Sequence, residues 1–122
     1  ASNTISPKVK IIDLSQDFRL AASSKLGERN FVYGLPELNK VAIQKAQNIA
    51  NPGCFATAIQ LGLLPLGAKG LLKEVYTTGI TGSTGAGQGL SNTSHFSWRA
   101  NNIQPYKTLL GQSHGQYWGV SL

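Results

Sequence analysis

The sequence predicts an α/β protein, and three observations support this prediction. Apolar, β-branched runs alternate with stretches of helix-favouring composition, in the order strand, helix, strand, helix, strand. Hydrophobic residues make up 41% of the 122 residues, which is enough for the core of one domain of ordinary size. No apolar stretch approaches the ~18 residues of a membrane span, and the first residues lack the pattern of a signal peptide. We therefore expect a soluble α/β domain.

The first predicted strand covers residues 9–14, a short β-branched run that is typical of a buried strand. A polar loop follows it and ends at Arg19. Polar residues at the carboxyl end of a parallel strand face the edge of the sheet at which ligands bind. Considered alone, Arg19 either binds a carboxylate or phosphate through paired N–H groups or forms a salt bridge with Asp17 or Asp13.

Three elements are expected between the first strand and the cysteine. Residues 31–36 indicate a loop or an edge segment, residues 37–47 favour a helix, and residues 48–50 predict a short strand. The apolar residues available for the buried side of the helix are Leu38, Val41 and Ile43.

The single cysteine, Cys54, directly precedes a predicted helix at residues 55–64. A helix N-terminus has unpaired N–H groups and the positive end of the helix dipole, both of which favour a thiolate over a thiol. We expect Pro65 to end this helix after about three turns. Apolar residues around much of its circumference indicate a helix buried between layers, with Cys54 in a cleft. Cys54 is therefore either a nucleophile or, like many free cysteines, an inert buried hydrophobe.

A glycine-rich segment at residues 82–89 follows a further strand expected within residues 71–80. Its spacing matches neither a P-loop nor the dinucleotide fingerprint. Because glycines lack side chains, the backbone here could approach a phosphate or another anionic ligand closely. The alternative is a flexible connection.

Charge and cysteine content restrict the possible classes of function. Lys and Arg number 11 against 5 Asp and Glu, a formal charge of +6. This charge is compatible with nucleic acid, with an anionic substrate or with a fragment of a longer chain. The basic residues are scattered, without aromatic interleaving, which disfavours nucleic acid. One cysteine and two histidines leave no disulfide framework and no Cys/His metal cluster, and they fit a reducing cytoplasm.

Four motifs, in this order, resemble the N-acetyl-gamma-glutamyl-phosphate reductase family of arginine biosynthesis. They are Asp13-Leu14-Ser15-Gln16-Asp17-Phe18-Arg19, Tyr33-Gly34-Leu35-Pro36-Glu37-Leu38, Asn51-Pro52-Gly53-Cys54-Phe55-Ala56-Thr57 and Gly82-Ser83-Thr84-Gly85-Ala86-Gly87. The resemblance implies that the rear part of a Rossmann-type NAD(P)-binding domain, at 1–50, joins the front of an α+β catalytic and dimerisation domain, at 51–109. An atypical tail follows at 110–122.

The resemblance also implies a reaction. The cysteine of the family attacks an acyl phosphate, phosphate leaves, and the resulting thioester accepts a hydride from NADPH to give the semialdehyde. Cys54 is then the nucleophile. The expected partner is a small-molecule acyl phosphate, with no nucleic acid and no membrane, and the full-length enzyme is expected to be a homo-oligomer. The basic charge would help to collect an acidic substrate and a phosphate-rich cofactor.

Other site residues follow from the same resemblance. Those expected to contact or shape the substrate site are Ser15, Arg19, Tyr33 and Glu37. Those expected beside the nicotinamide or the substrate are Gly82, Ser83, Gly85, Ala86 and Gly87. Glu37 has an alternative interpretation, as an acidic residue in the first turn of a helix.

The sequence departs from the family pattern in two places. The glycine-rich turn that opens the dinucleotide-binding domain would precede residue 1, so we expect an incomplete form with little or no reductase activity alone. The His-x-His pair of the family falls on Gly111 and Ser113, which leaves His114, one position out of register, as the candidate acid/base.

Two other functions stay open at this point. One is a reductase like aspartate-semialdehyde dehydrogenase, which shares the cysteine, thioester and hydride scheme. The motifs at 33–36 and 51–54 argue against it. The other is a non-catalytic module that binds an anion or a partner subunit, for which Cys54 would be dispensable.

Overall fold

The computed structural model describes residues 5–6, 8–86, 89, 95, 97 and 100–103. In chain order its elements are β1 (Ile11–Asp13), β2 (Lys25–Leu26), β3 (Arg29–Tyr33), α1 (Pro36–Lys45), β4 (Asn48–Ala50) and α2 (Cys54–Gly67), with short 3-10 turns at Ala21–Ser23 and Ser83–Ala86. These elements confirm the α/β class. Within the described ranges, none of the helices has the length and apolar character needed to cross a membrane.

The strands form a mixed sheet with the order β1-β4-β3-β2. β4 runs parallel to both β1 and β3, whereas β2 runs antiparallel to β3. Asp13 and Tyr33 both pair with Ala50, so the three parallel strands end at the same level. We call the ends of these strands, at Asp13, Tyr33 and Ala50, the carboxyl edge. The segments that follow β1, β3 and β4 all start there.

A small core holds the loop after β1 against the sheet. Phe31, Leu35 and Ala50 are buried. The ring of Phe18 stacks on that of Phe31, with ring centroids 4.1 Å apart and an angle of 5° between the planes. Aromatic pairs of this kind stabilise a fold beyond the area that they bury. The stack therefore fixes Phe18, the residue before Arg19, against the sheet.

The interpretation of residues 31–36 as a loop or an edge segment is wrong for residues 31–33. β3 lies inside the sheet, between β4 and β2. The aromatic and β-branched run at Phe31, Val32 and Tyr33 favours a strand more strongly than the glycine and proline after it oppose one. Pro36 instead begins α1, where the missing N–H of a proline costs no helical hydrogen bond.

The predicted helix and strand around residues 37–50 are confirmed as α1 and β4. The predicted buried side of α1 is wrong for Leu38 and Val41, which are 38% and 63% exposed. α1 is kinked at Asn39, which has φ −122° and ψ 23°. The side chain of Asn39 donates to the carbonyl of Tyr33 at 3.0 Å. Because a kink interrupts the helical repeat, the apolar positions do not form one continuous face.

Two expectations about the cysteine helix are wrong. α2 continues through Pro65 to Gly67. A proline at this position removes the bond to the carbonyl of Leu61, and both residues are exposed, so water can take the place of that bond. The helix is also not buried between layers: Gln60 is its one buried residue, and Leu61 and Leu66 are 40% and 46% exposed. In the described ranges, no element covers the outer side of α2.

The strand expected within residues 71–80 does not form in the structure. Tyr76 and Ile80 are 89% and 84% exposed. A β-branched composition favours a strand only where a neighbouring strand accepts its backbone hydrogen bonds and packs against its side chains. In the described part of the chain, this segment has no such neighbour.

Candidate active site

The segments that follow β1, β3 and β4 are hydrogen-bonded to one another at the carboxyl edge. The N–H of Asn51 donates to the carbonyl of Asp13 at 2.8 Å, and the N–H of Gly34 donates to the carbonyl of Ala50 at 2.9 Å. Ligands of open parallel sheets bind outside this edge. The three segments that the sequence singled out, 13–19, 33–37 and 51–54, therefore all start at the carboxyl edge.

Arg19 connects the loop after β1 with the segment that leads into α2. Its Nε donates to the carbonyl of Asn51 at 2.8 Å, and its Nη2 donates to the carbonyl of Leu14 at 3.0 Å. Its Nη1 lies 3.1 Å from the position that a Cβ would occupy at Gly53, so a glycine there gives the guanidinium room. The hydrogen bonds of Arg19 thus go to backbone carbonyls, in place of the salt bridge to Asp17 or Asp13.

Cys54 is the first residue of α2, directly after the N-cap residue Gly53. Its side chain is exposed, so the expected cleft around it is not present in the described part of the chain. The carbonyl of Gly53 accepts bonds from the N–H and from the Oγ1 of Thr57, both at 2.9 Å, and these bonds fix the first turn. The unpaired amides of that turn and the helix dipole give the start of α2 a positive potential. The positive charge of Arg19 adds to it, because its guanidinium lies against Gly53.

Ser15 organises the loop after β1. Its hydroxyl donates to Oδ2 of Asp13 at 2.7 Å and accepts from the N–H of Asp17 at 3.1 Å. Side-chain to backbone bonds of this kind stabilise turns in place of regular secondary structure. The structure therefore shows Ser15 and Asp13 holding the turn that leads to Arg19.

Tyr33 ends β3 at the carboxyl edge, and its hydroxyl accepts a hydrogen bond from Nε2 of Gln60 at 3.3 Å. Partial burial raises the pKa of Tyr33 above its ordinary value, while the hydrogen bond from Gln60 and the positive charge of Arg19 oppose that rise. Tyr33 is therefore neutral at physiological pH. Its hydroxyl lies within the electrostatic reach of Arg19 as well as within hydrogen-bonding distance of α2.

Sequence reasoning missed Gln60. It is the one polar side chain in the apolar run between Thr57 and Lys69. A lone amide within an apolar helix must find a hydrogen-bonding partner if it is buried. That pattern was a signal that α2 packs against a polar group, and the group is the hydroxyl of Tyr33.

Other predicted site residues lie in α1 and in the glycine-rich segment. Glu37 lies exposed in the first turn of α1, which agrees with its alternative interpretation as an acidic residue at a helix start. The 3-10 turn at Ser83–Ala86 contains Ser83, Gly85 and Ala86, with Gly82 directly before it. Two predicted site residues, Gly87 and His114, lie outside the described residues.

Gly79 connects this glycine-rich segment to α2. A Cβ at Gly79 would overlap the ring of Phe55, the residue that follows Cys54. The contact brings the chain just before Gly82 against the first turn of α2. The segment there has few bulky side chains, so a flat ring or an anion could approach its backbone closely. Among the described residues, no group of three or more His, Cys, Asp or Glu side chains could hold a metal ion.

The fold and the site together define an α/β protein with a cysteine at a helix start, on the carboxyl edge of parallel strands. Comparison with known families narrows this class. Residues 54–116 match the family model described as semialdehyde dehydrogenase, dimerisation domain. The chain belongs to this family.

Similar proteins agree with the match. The chain is 55% identical over 115 residues to the N-acetyl-gamma-glutamyl-phosphate reductase of Flavobacterium johnsoniae, covering 93% of this chain and 35% of that protein. It is 59% identical over 112 residues to the reductase of the same name from Azobacteroides pseudotrichonymphae, covering 91% of this chain and 34% of that protein. The N-acetyl-gamma-glutamyl-phosphate reductase of Bacteroides fragilis is 55% identical to the chain over 107 residues, covering 87% of this chain and 32% of that protein. These relatives confirm the resemblance inferred from the four motifs. The chain spans about a third of their length.

Proposed function

We propose that this chain is part of an NADPH-dependent N-acetyl-gamma-glutamyl-phosphate reductase with Cys54 as its nucleophile. The thiolate of Cys54 attacks the acyl carbonyl of the substrate. The bond from the acyl carbon to the phosphate oxygen breaks, phosphate leaves with the electron pair, and a thioester forms on Cys54. NADPH, when bound, supplies the hydride that converts the thioester to the semialdehyde and releases the thiolate.

One observation carries the proposal: Cys54 opens α2 directly after Gly53, the residue against which the guanidinium of Arg19 lies. The positive end of the helix and the charge of Arg19 both attract an anionic substrate. The exposure of Cys54 gives a small acyl phosphate access to this residue.

Arg19 serves as the anion-binding residue in this proposal. Its Nε and Nη2 donate to backbone carbonyls, and Nη1 lies 3.1 Å from the Cβ position at Gly53, the residue before Cys54. A guanidinium fixed in this way loses little side-chain freedom when an anion binds. Ser15, Tyr33 and Glu37 shape the remaining substrate side, and His114 is the acid/base.

The residues from Gly82 to Gly87 contribute to the nicotinamide side of the site. The support for this role is the packing of Gly79 on Phe55, which brings the chain just before Gly82 to the first turn of α2. We further propose that the parallel strands of the sheet belong to the rear of a Rossmann-type domain and that the enzyme is a homo-oligomer of the reducing cytoplasm. The 122-residue chain alone has little or no NADPH-dependent turnover.

Protection of Cys54 from alkylation tests the proposed function without the cofactor. N-acetylglutamate semialdehyde adds reversibly to the thiol of Cys54, so it should slow the reaction of the 122-residue chain with iodoacetamide, followed by intact-mass spectrometry. Because the chain has a single cysteine, the mass shift reports Cys54 alone. Arg19→Gln should weaken the protection, while Lys40→Gln, which removes an exposed charge on α1, should not.

Each outcome of the protection experiment has a definite meaning. Stronger protection by N-acetylglutamate semialdehyde than by aspartate semialdehyde supports the proposal. Stronger protection by aspartate semialdehyde would assign the chain to the related dehydrogenase. If neither aldehyde slows alkylation at any concentration up to the solubility limit, Cys54 does not bind this class of substrate and the proposal fails.

A further inference from the structure

Gln60 is unusual among the residues of α2 because it is polar and yet buried. Its side chain is 7% exposed, whereas the apolar Leu61 and Leu66 of the same helix are 40% and 46% exposed. Burial of an amide costs free energy unless it forms hydrogen bonds, so its position requires a specific partner. The amide Nε2 of Gln60 donates to the hydroxyl of Tyr33.

This bond connects α2 to the carboxyl edge at a second place. The first is Arg19, which reaches the carbonyl of Asn51 and lies against Gly53. Gln60 lies six residues after Cys54, less than two helical turns along α2. A rigid helix that is held at two separate points has a defined direction. The two contacts therefore set where the first turn of α2, with Cys54, points relative to Arg19.

The outer side of α2 does little to hold the helix in the described part of the chain. Its outer apolar residues are exposed, and a hydroxyl that ends a paired β-strand is a fixed acceptor. The hydroxyl is also neutral, since burial raises the pKa of Tyr33. Both properties make the Tyr33 hydroxyl a stable partner for the amide of Gln60.

We propose that Gln60 is a positioning residue, whose hydrogen bond to Tyr33 orients α2 and so sets the direction of Cys54 relative to the guanidinium of Arg19. The inference rests on the proposed function, since it gives a reason for the direction of Cys54 relative to Arg19. Gln60 acts through Tyr33 and the helix, without touching the reacting atoms.

The test compares the alkylation of Cys54 by a charged and by a neutral reagent. Iodoacetate is an anion and iodoacetamide is not, so the ratio of their rate constants measures the positive charge close to the sulfur. Gln60→Leu and Tyr33→Phe should each lower this ratio by about threefold, as expected for an interaction with a partly exposed charge. Because both variants break the same bond, the double variant should lower the ratio no further. Leu61→Ala, an exposed change at the next residue, should leave it unchanged.

A structural role alone predicts a different result. Cys54 is already exposed, so a general loss of stability would change both rate constants together and keep their ratio. Tyr33→Phe removes a single oxygen atom and tests the inference even if Gln60→Leu fails to fold. The inference is overturned if Tyr33→Phe keeps the wild-type ratio, whether or not Arg19→Gln lowers it.

The two proposals can fail separately. If Arg19→Gln lowers the ratio but Tyr33→Phe and Gln60→Leu do not, Gln60 does not position the helix and the proposed function stands. If the semialdehyde fails to protect Cys54 in the wild-type chain while Gln60→Leu and Tyr33→Phe lower the ratio, the positioning role stands and the substrate assignment falls.

Discussion

Two arginines, Arg19 and Arg29, form similar contacts at opposite ends of the parallel strands. Arg19, at the carboxyl edge, donates to the carbonyls of Leu14 and Asn51. Arg29, at the start of β3, donates to the carbonyls of Ile5 and Ser6 and to Oδ1 of the buried Asn48, each at 2.8 Å. Both guanidiniums therefore join segments that are distant in sequence. Only Arg19 lies beside the start of a helix that carries a nucleophilic side chain.

The comparison shows that shape alone does not identify the site. A cavity of about 620 Å³ lies on the Arg29 side, lined by residues that include Leu26, Lys45 and Asn48. Neither Arg19 nor Cys54 lines it. What distinguishes the carboxyl edge is the combination of a thiol, a fixed positive charge and the positive end of a helix. The residues that line the cavity on the Arg29 side include neither a thiol nor the positive end of a helix.

The largest effect on stability should come from Arg29. Arg29→Gln leaves Oδ1 of the buried Asn48 without its charged donor and releases the backbone at residues 5–6, so we expect a loss of about 2 kcal/mol in the free energy of unfolding. The corresponding change at Arg19 removes bonds that are exposed, so its cost should be about 1 kcal/mol or less. Urea unfolding of both variants measures the difference, with Lys40→Gln as the control for charge.

The same two variants should reverse their order when the reactivity of Cys54 is measured. Arg19→Gln should lower the preference for iodoacetate over iodoacetamide, whereas Arg29→Gln should keep it. Equal loss of this preference in both variants would mean that net charge, rather than the position of Arg19, determines the reactivity of the thiol.

A smaller effect is expected from a pair of glycines at and within α2. Gly53→Ala places a methyl group 3.1 Å from Nη1 of Arg19, so the guanidinium must shift and the free energy of unfolding should fall by about 1 kcal/mol. Gly62→Ala meets no atom within 4 Å and restricts the unfolded chain, so it should stabilise by about 0.5 to 1 kcal/mol. Thermal unfolding measures both changes. Destabilisation by Gly62→Ala would contradict the open surroundings of that residue.

Local sequence patterns were enough to predict several of the helices and strands. The strand within residues 9–14, the helix at about 37–47 and a helix beginning beside Cys54 were all predictable from composition and spacing. The resemblance to a known family singled out Arg19, but the carbonyls that hold it come from Leu14 and Asn51, which no local pattern connects.

Prediction failed where partners distant in sequence decide the structure. β3 is an inner strand because it pairs on both sides, and residues 71–80 form no strand because no described strand lies beside them. Gln60 was missed because its partner, Tyr33, lies on another element. α2 passes through Pro65 because solvent reaches the carbonyl that loses its donor, and exposure of that kind is a property of the folded chain.

The smallest expected effect is the alkaline titration of Tyr33. Its pKa is raised mainly by burial, so the folded state favours the neutral phenol. The stability that this group contributes is fully present below the pKa of about 10 of an unfolded tyrosine and is lost as the pH rises through the higher folded value. We therefore expect the wild-type chain to lose stability more steeply than Tyr33→Phe above about pH 10. Absorbance of ionised tyrosine should show a late titration step, and Tyr33→Phe should remove it. Ionisation places a negative charge on the hydroxyl that accepts from Gln60, so the reactivity ratio of Cys54 should fall over the same pH range; a constant ratio through the late step would show that Tyr33 does not influence the surroundings of Cys54.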